Sequence, residues 1–179
     1  MGARRRLRPE PETRGAQAWP NKLERAKIAE IDRLRVAGIE RIGQLTEREF
    51  LMAGLGLYAG DGAKSGNVVK FANSNPALVR LFCEWLRAFF EIDESRLRVR
   101  LYLHEGLDLD ATIGHWESVT SITDVQFTKP YRAVADATRR KAKHVHGCCH
   151  VCCASASTHR AILGMLSGLA FVTYEPDPG

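Results

Sequence analysis

The chain has 179 residues, 45% of them hydrophobic, which is enough to bury one full-sized core but not two independent domains. Its 26 Lys and Arg against 21 Asp and Glu give a net charge of +5, which modestly favours a polyanionic partner. No run approaches the roughly 20 consecutive apolar residues that a membrane helix needs, and no apolar stretch follows the basic start. We therefore expect a soluble cytoplasmic protein without a membrane partner.

Composition divides the chain into four regions. Residues 1–20 hold five arginines and few apolar side chains, which indicates a flexible basic arm. Residues 21–45 form an N-terminal helical segment, with helical spacing of apolar residues from 21 to 37. This segment is either half of a small helix-turn-helix or a helix that packs on the domain. Residues 46–172 form the main domain, and residues 173–179 are a C-terminal tail.

The first helix of the main domain is predicted from its cap. Thr46 can accept a hydrogen bond from the backbone N–H of Glu49 while the Glu49 side chain returns to the Thr46 backbone, which makes a capping box. We expect this helix over 47–60. A turn at 64–66 then leads to a short strand over 68–73.

Helices and strands alternate through the rest of the main domain, because helical apolar spacing changes repeatedly to strict alternation. A faint echo between 92–97 and 122–127 is too short to be a repeat. This pattern predicts an α+β domain whose helices pack on one face of a sheet. The expected elements are a helix at 78–90, a strand at 96–104, a helix at 110–121, strands at 127–134 and 144–153, and a helix at 157–169.

The segment 54–62, Gly-Leu-Gly-Leu-Tyr-Ala-Gly-Asp-Gly, combines two features that an ordinary surface helix avoids. Each interior glycine destabilises a helix by about 1 kcal/mol relative to alanine, and the terminal Asp61 faces the negative end of the helix dipole. Ala53, Gly56 and Gly60 share one side, so two copies of the helix can approach closely. The two acids would then repel each other unless a divalent cation binds between them.

At these residues the chain resembles the LAGLIDADG homing endonucleases, whose motif is Leu-Ala-Gly-Leu-Ile-Asp-Ala-Asp-Gly. Gly56, Leu57, Asp61 and Gly62 match the pattern directly. The leading Leu-Ala is altered, and Ala59 replaces the earlier acid, a position that varies in the family and is not the catalytic one. Residues 50–169 also look like the compact actinobacterial LAGLIDADG-like proteins, which carry a similar Gly-Leu-Tyr segment and an Asn-Ser-x-Pro turn.

The resemblance implies a LAGLIDADG-type antiparallel sheet saddle that contacts double-stranded DNA. It implies a homodimer packed through Ala53, Gly56 and Gly60, with Mg²⁺ or another divalent cation held by Asp61 and by Gly60. The leading hypothesis is metal-dependent hydrolysis of duplex DNA by a nucleoid-associated protein. The alternatives are a non-cleaving DNA-binding regulator on the same fold and a protein-interaction domain without a DNA role.

The predicted strand at 96–104 has one apolar and one basic face, because leucine and valine alternate with arginine. Arginine pairs with phosphate or with guanine, although such a face can also be merely solvated. The candidate basic partners of Asp61 in catalysis are Lys64 and Lys143. The expected DNA contacts are Lys70, Arg96, Arg98, Arg100, Arg132 and Lys141.

Histidines and cysteines are concentrated between 144 and 153. Four of the five cysteines lie there, which is unlike a secreted disulfide framework and favours a reducing compartment. Alternation places His144, His146, Cys148, His150 and Cys152 on one face, a set chemically able to bind zinc. Ligands along one straight strand spread too far to converge on one ion, so we expect no structural metal there.

Overall fold

The computed structural model describes residues 21–104, 106–133, 145–169 and 171. The chain divides into two compact units, Met1–Gln44 and Leu45–Gly179. The first unit contains α1 (Lys22–Ile42), whose N-cap Asn21 accepts a hydrogen bond from the Glu24 N–H. This helix continues five residues beyond the predicted end at 37, because a single interior glycine, Gly38, weakens a helix by only about 1 kcal/mol. None of the described helices is long and apolar enough to cross a membrane.

The second unit is α+β, as predicted. The capping box at Thr46 and Glu49 is present. The described elements are α2 (Glu47–Asp61), β1 (Val69–Asn73), α3 (Pro76–Phe89), β2 (Leu97–His104), α4 (Leu109–Thr120), β3 (Phe127–Ala133), β4 (Cys148–Cys153) and α5 (Ala156–Leu169), with 3-10 turns at Glu94–Arg96 and Asp124–Gln126.

The last strand is shorter than predicted. The prediction began it at 144, which lies outside the described residues, whereas β4 begins at Cys148 after a turn at 145–146. Gly147 has φ +64° and lies against the Tyr102 carbonyl, where a side chain would collide. This left-handed glycine ends the turn and starts the strand.

The sheet is mixed, with the order β1-β4-β2-β3. β4 pairs antiparallel with both β1 and β2, but β2 and β3 are parallel. The expectation of a wholly antiparallel sheet is therefore wrong for this pair. The reason is the connection, because α4 lies between the two strands in sequence and carries the chain back to the start of a parallel neighbour.

One face of the sheet is buried and the other is not. β2 alternates strictly, with Leu97, Val99, Leu101 and Leu103 in the core. The core also holds large aromatic side chains from the helices, among them Trp85 of α3 and Trp116 of α4. The opposite face, here called the outer face, carries the partly or fully exposed residues Lys70, Ala72, Arg98, Arg100, Tyr102, Thr128, Tyr131, Cys148, His150 and Cys152.

Candidate nucleic-acid interface

Charge is unevenly distributed between the sheet and the rest of the chain. The four described strands contain five basic side chains and no Asp or Glu, whereas the whole chain holds 26 basic and 21 acidic residues. The described acids of the second unit therefore lie outside these four strands. The basic residues of the strands are Lys70, Arg98, Arg100, Lys129 and Arg132.

Strand order brings three of the predicted DNA contacts together. Cys152 of β4 pairs with Lys70 on one side and with Arg98 on the other. In the neighbouring row of the outer face, His150 pairs with Arg100, and Arg100 pairs in turn with Thr128 of β3. These residues enclose a cavity of about 240 Å³, here called the sheet pocket, lined by Lys70, Arg98, Arg100, Thr128, His150 and Cys152.

The cations of the sheet pocket have no acidic partner among the residues that the structure describes. Within the described part of the chain, Lys70, Arg98 and Arg100 form no salt bridge. Burial lowers the pKa of His150, and the charges of Lys70 and Arg100 lower it further. Burial raises the pKa of the Cys152 thiol although Lys70 and Arg100 oppose that change. The pocket therefore combines three cationic side chains with a neutral imidazole and a neutral thiol.

The guanidinium group of Arg98 is anchored. Its Nη1 donates hydrogen bonds of 2.6 Å to the carbonyl of Ser95 and of 2.6 Å to its neighbour Leu97. The sulfur of Cys152 lies 3.8 Å from Nε2 of His150. Arg98 on one wall of the sheet pocket and His150 with Cys152 on another are thus held by contacts within the protein.

Two predicted contacts do not belong to this cluster. Arg96 lies in the 3-10 turn before β2, where its Nε is 3.3 Å from a carboxylate oxygen of Asp93. The strand was predicted one residue too long, because the alternation of arginine and leucine continues into that turn. Arg132 is exposed but aligns with the inward-facing Leu103, so it lies on the opposite side of β3 from Tyr131. Lys141 and Lys143 lie outside the described residues.

Asp61 is the last residue of α2 and is exposed. Its Oδ2 accepts a hydrogen bond of 2.6 Å from Nδ2 of Asn73, the last residue of β1. Burial is the main cause that raises the pKa of the Cys148 thiol, and the negative charge of Asp61 adds to it. Asn73 pairs with the buried Cys149, so Asp61 lies at the end of β1, next to the start of β4.

The turn that follows Asp61 is fixed by two side chains that the sequence did not indicate. The Ala63 carbonyl accepts a hydrogen bond of 2.6 Å from the Tyr58 hydroxyl and lies 3.2 Å from Nε2 of the buried His159 on α5. Because a carbonyl only accepts, His159 carries its proton on Nε2. The Ala63 N–H donates to the Lys70 carbonyl, so the turn is tied to the strand that carries Lys70.

The chain matches no protein-family model, and a search of curated proteins finds no similar sequence. The resemblance to LAGLIDADG proteins therefore stays a prediction from segments 54–62 and 73–76.

The predicted metal position is only partly built by one chain. Lys64 Nζ donates a hydrogen bond of 3.3 Å to the Gly60 carbonyl, which the prediction gave to the metal. Among the described residues, no three His, Cys, Asp or Glu side chains are close enough together to hold an ion. Mg²⁺ commonly uses one or two carboxylates and completes its shell with water and phosphate oxygens. Asp61 is the carboxylate of the predicted ligand pair, and Lys64 contacts the other member, the Gly60 carbonyl.

The glycines of α2 serve different purposes. A side chain at Gly54 would overlap with the indole of Trp85, so this glycine is required inside the second unit. A Cβ at Gly56 or Gly60 would meet nothing within 4 Å. Both glycines and Ala53 are exposed, so the predicted stripe of small residues faces away from the core.

Proposed function

We propose that the chain binds double-stranded DNA with the outer face of its sheet. The observation that carries this proposal is the concentration of basic side chains on strands that hold no acid. A duplex is a dense array of negative phosphates, and each Lys or Arg that pairs with one releases a condensed counterion. Lys70, Arg98 and Arg100 lie in two adjacent rows of this face, where they can contact neighbouring phosphates or guanine edges.

A second function, cleavage of the bound DNA, is favoured by the position of Asp61. The acid lies at the end of β1, next to the start of β4, and Asn73 orients it by donating to Oδ2, which leaves Oδ1 to bind a cation. A divalent cation there would polarise a phosphate and activate a water molecule. The hydrogen bonds from Tyr58 and His159 to Ala63 keep the turn after Asp61 in place. The exposed small residues of α2 fit a homodimer that brings two copies of Asp61 together.

Lys64 has a defined task in this cleavage proposal. Its ammonium group contacts the Gly60 carbonyl at the end of α2, where a cation is favourable. It would leave that carbonyl when a divalent cation binds, and it could then pair with the phosphate. Without a divalent cation the chain would act as a non-cleaving DNA-binding protein, the alternative function on the same surface.

The salt dependence of DNA binding tests the proposed surface. Duplex affinity would be measured by fluorescence anisotropy over a series of salt concentrations for the parent chain and for Arg98→Ala/Arg100→Ala. Each lost phosphate contact reduces the slope of log affinity against log salt by about 0.9. The slope of the double variant should therefore be smaller in magnitude by about 2. Arg48→Ala/Arg80→Ala removes two exposed arginines of α2 and α3 and is the matched control.

The control should keep the parent slope within about 0.5, since its arginines lie on helices. Circular dichroism would establish that both double variants are folded. Equal slopes of log affinity against log salt for the two double variants would show that the outer face is not part of the DNA-binding surface. Absence of any duplex binding by the parent chain would favour a protein-interaction domain instead.

A further inference from the structure

The sheet pocket is rich in hydrogen-bond donors. Lys70, Arg98 and Arg100 can only donate, whereas the hydroxyl of Thr128 already donates to the Val99 carbonyl at 3.2 Å. None of the described residues that line the cavity carries a carboxylate. The ligand that matches such a lining carries acceptors and negative charge, as a phosphate group does.

The charge of the pocket exceeds what an internal phosphodiester neutralises. Three cations line one cavity of about 240 Å³, and within the described residues none of them pairs with an acid. A phosphodiester carries one negative charge, whereas a phosphate monoester carries about 1.5 to 2 near neutral pH. A doubly charged group relieves more of the mutual repulsion of the three side chains than a singly charged group does.

The shape of the site points the same way. The lining residues come from four strands, and Thr128 and His150 are only partly exposed, so the cavity is recessed into the outer face. A terminal phosphate projects from the end of a strand and can enter a recess. An internal phosphodiester is flanked by sugars on both sides, so it contacts the rim of the pocket instead of entering it.

From these observations we propose that the sheet pocket binds a phosphate monoester, and that on DNA it takes the terminal phosphate of a strand. The DNA part of this inference rests on the proposed function. Lys70 and Arg100 hold the phosphate from opposite sides of β4, and the anchored guanidinium of Arg98 faces it from the Cys152 row.

The first experiment tests the pocket without DNA. Isothermal titration calorimetry at pH 8 would compare methyl phosphate, a dianionic monoester, with dimethyl phosphate, a monoanionic diester, at equal ionic strength. We expect one saturable site per chain for methyl phosphate and at least about tenfold weaker binding of dimethyl phosphate, because charge-assisted hydrogen bonds scale with ligand charge. Lys70→Gln and Arg100→Gln should each weaken methyl phosphate binding about tenfold, and the matched control Arg80→Gln should not.

The second experiment tests the DNA ligand. Two duplexes of one sequence, with all strand ends phosphorylated or all ends hydroxylated, would be compared by anisotropy. The phosphorylated duplex should bind about tenfold more tightly, and Arg100→Gln should erase this difference while Arg80→Gln keeps it.

Three outcomes are decisive. No saturable methyl phosphate binding, or the same loss in Arg80→Gln as in Arg100→Gln, overturns the pocket as a phosphate site. Equal affinity of the parent chain for the two duplexes overturns the assignment to strand ends and leaves duplex binding, the proposed function, intact. Intact methyl phosphate binding with no affinity for either duplex supports the pocket as a phosphate site and overturns both the proposed function and the assignment to strand ends that rests on it.

Discussion

Asn73 Nδ2 donates a hydrogen bond of 2.6 Å to Asp61 Oδ2, so the last residue of β1 holds the acid that ends α2. The same strand carries Lys70 on the outer face. One strand therefore links the motif acid to the basic surface. This link gives Asp61 a fixed position relative to any ligand bound across the sheet.

Asp61→Asn should abolish metal-dependent nicking or cleavage of duplex DNA while leaving binding unchanged or slightly stronger. The amide removes the charge that a divalent cation needs, and it also removes one repulsive charge near the DNA. Plasmid nicking with Mg²⁺ and anisotropy without metal would measure the two effects separately. Asp124→Asn, at an exposed acid before β3, is the control. Residual cleavage by Asp61→Asn at the parent rate would end the cleavage proposal.

Gly54→Ala and Gly56→Ala should change stability in opposite directions. The new methyl at Gly54 would overlap with the buried Trp85, whose Nε1 donates to the Leu51 carbonyl at 3.2 Å, so the ring has little room to move. We expect a loss of about 2–3 kcal/mol in the free energy of unfolding. At Gly56 the methyl meets nothing within 4 Å, so the gain in helix propensity should add up to about 1 kcal/mol. Urea unfolding of both variants tests the contrast.

The periodicity of the sequence was sufficient to predict the helices and strands of the main domain and the side chains that face the core. Strict alternation in β2 placed Arg98 and Arg100 opposite the leucines, and the structure agrees. The parallel pairing of β2 and β3 was missed although its signal was present. The echo between 92–97 and 122–127 corresponds to two 3-10 turns that each lead into a strand, and two successive helix–turn–strand units produce parallel strands.

The contacts of the candidate site could not be predicted in the same way. Asn73 is 12 residues from Asp61, and His159 is 96 residues from Ala63. No local spacing reports contacts at such separations. His150 and Cys152 were placed on the correct face of their strand. Only the strand order, with β4 between β1 and β2, unites them with the cations of the pocket.

His115 should make the protein less stable in mild acid. Burial lowers its pKa below the ordinary value of 6.5, and the nearby charge of His146 lowers it further. The imidazole rings are stacked with centroids 3.7 Å apart. The folded state therefore binds a proton at His115 less readily than the unfolded state does, so stability falls as the pH drops below about 6.5.

This effect of pH on stability can be tested by comparing two histidine variants. His115→Gln should flatten the decline of the urea midpoint between about pH 6.5 and 5, whereas His104→Gln, at an exposed histidine of β2, should keep the parent slope. A parent-like decline in His115→Gln would assign the acid sensitivity to other groups.

Arg87→Lys should weaken the junction between α3 and α4. Arg87 Nε and Nη2 donate to the two carboxylate oxygens of Glu94 at 2.8 and 2.9 Å, and its Nη1 donates to the Thr120 carbonyl at 2.8 Å. Lysine cannot form this fork, so we expect a loss of about 1–2 kcal/mol at pH 7. Arg80→Lys, at an exposed site of α3, should change stability by less than about 0.5 kcal/mol in the same urea titration.

The Arg87 effect should also depend on pH in a defined direction. The side-chain hydrogen bond from Arg87 lowers the pKa of Glu94 below its ordinary value of 4.5. The stabilisation is therefore complete above about pH 4.5 and is lost as the pH falls through the lowered folded-state pKa. The difference between Arg87→Lys and the parent chain should shrink in that acidic range. A constant difference from pH 7 to 3 would contradict the role of the ionised pair.

Gly56→Leu should separate folding from self-association. Gly56 is exposed and a side chain there meets nothing within 4 Å in one chain, so the variant should fold. In the proposed dimer two α2 helices approach through Ala53, Gly56 and Gly60, and a leucine would keep their backbones apart. Sedimentation velocity with and without duplex DNA should therefore give a dimer for the parent and a monomer for Gly56→Leu. Urea unfolding would confirm that both are folded. A strict monomer in the parent under both conditions, with Gly56→Leu equally competent in DNA binding, would exclude the paired helices and leave Asp61 as an ordinary acid at a helix end.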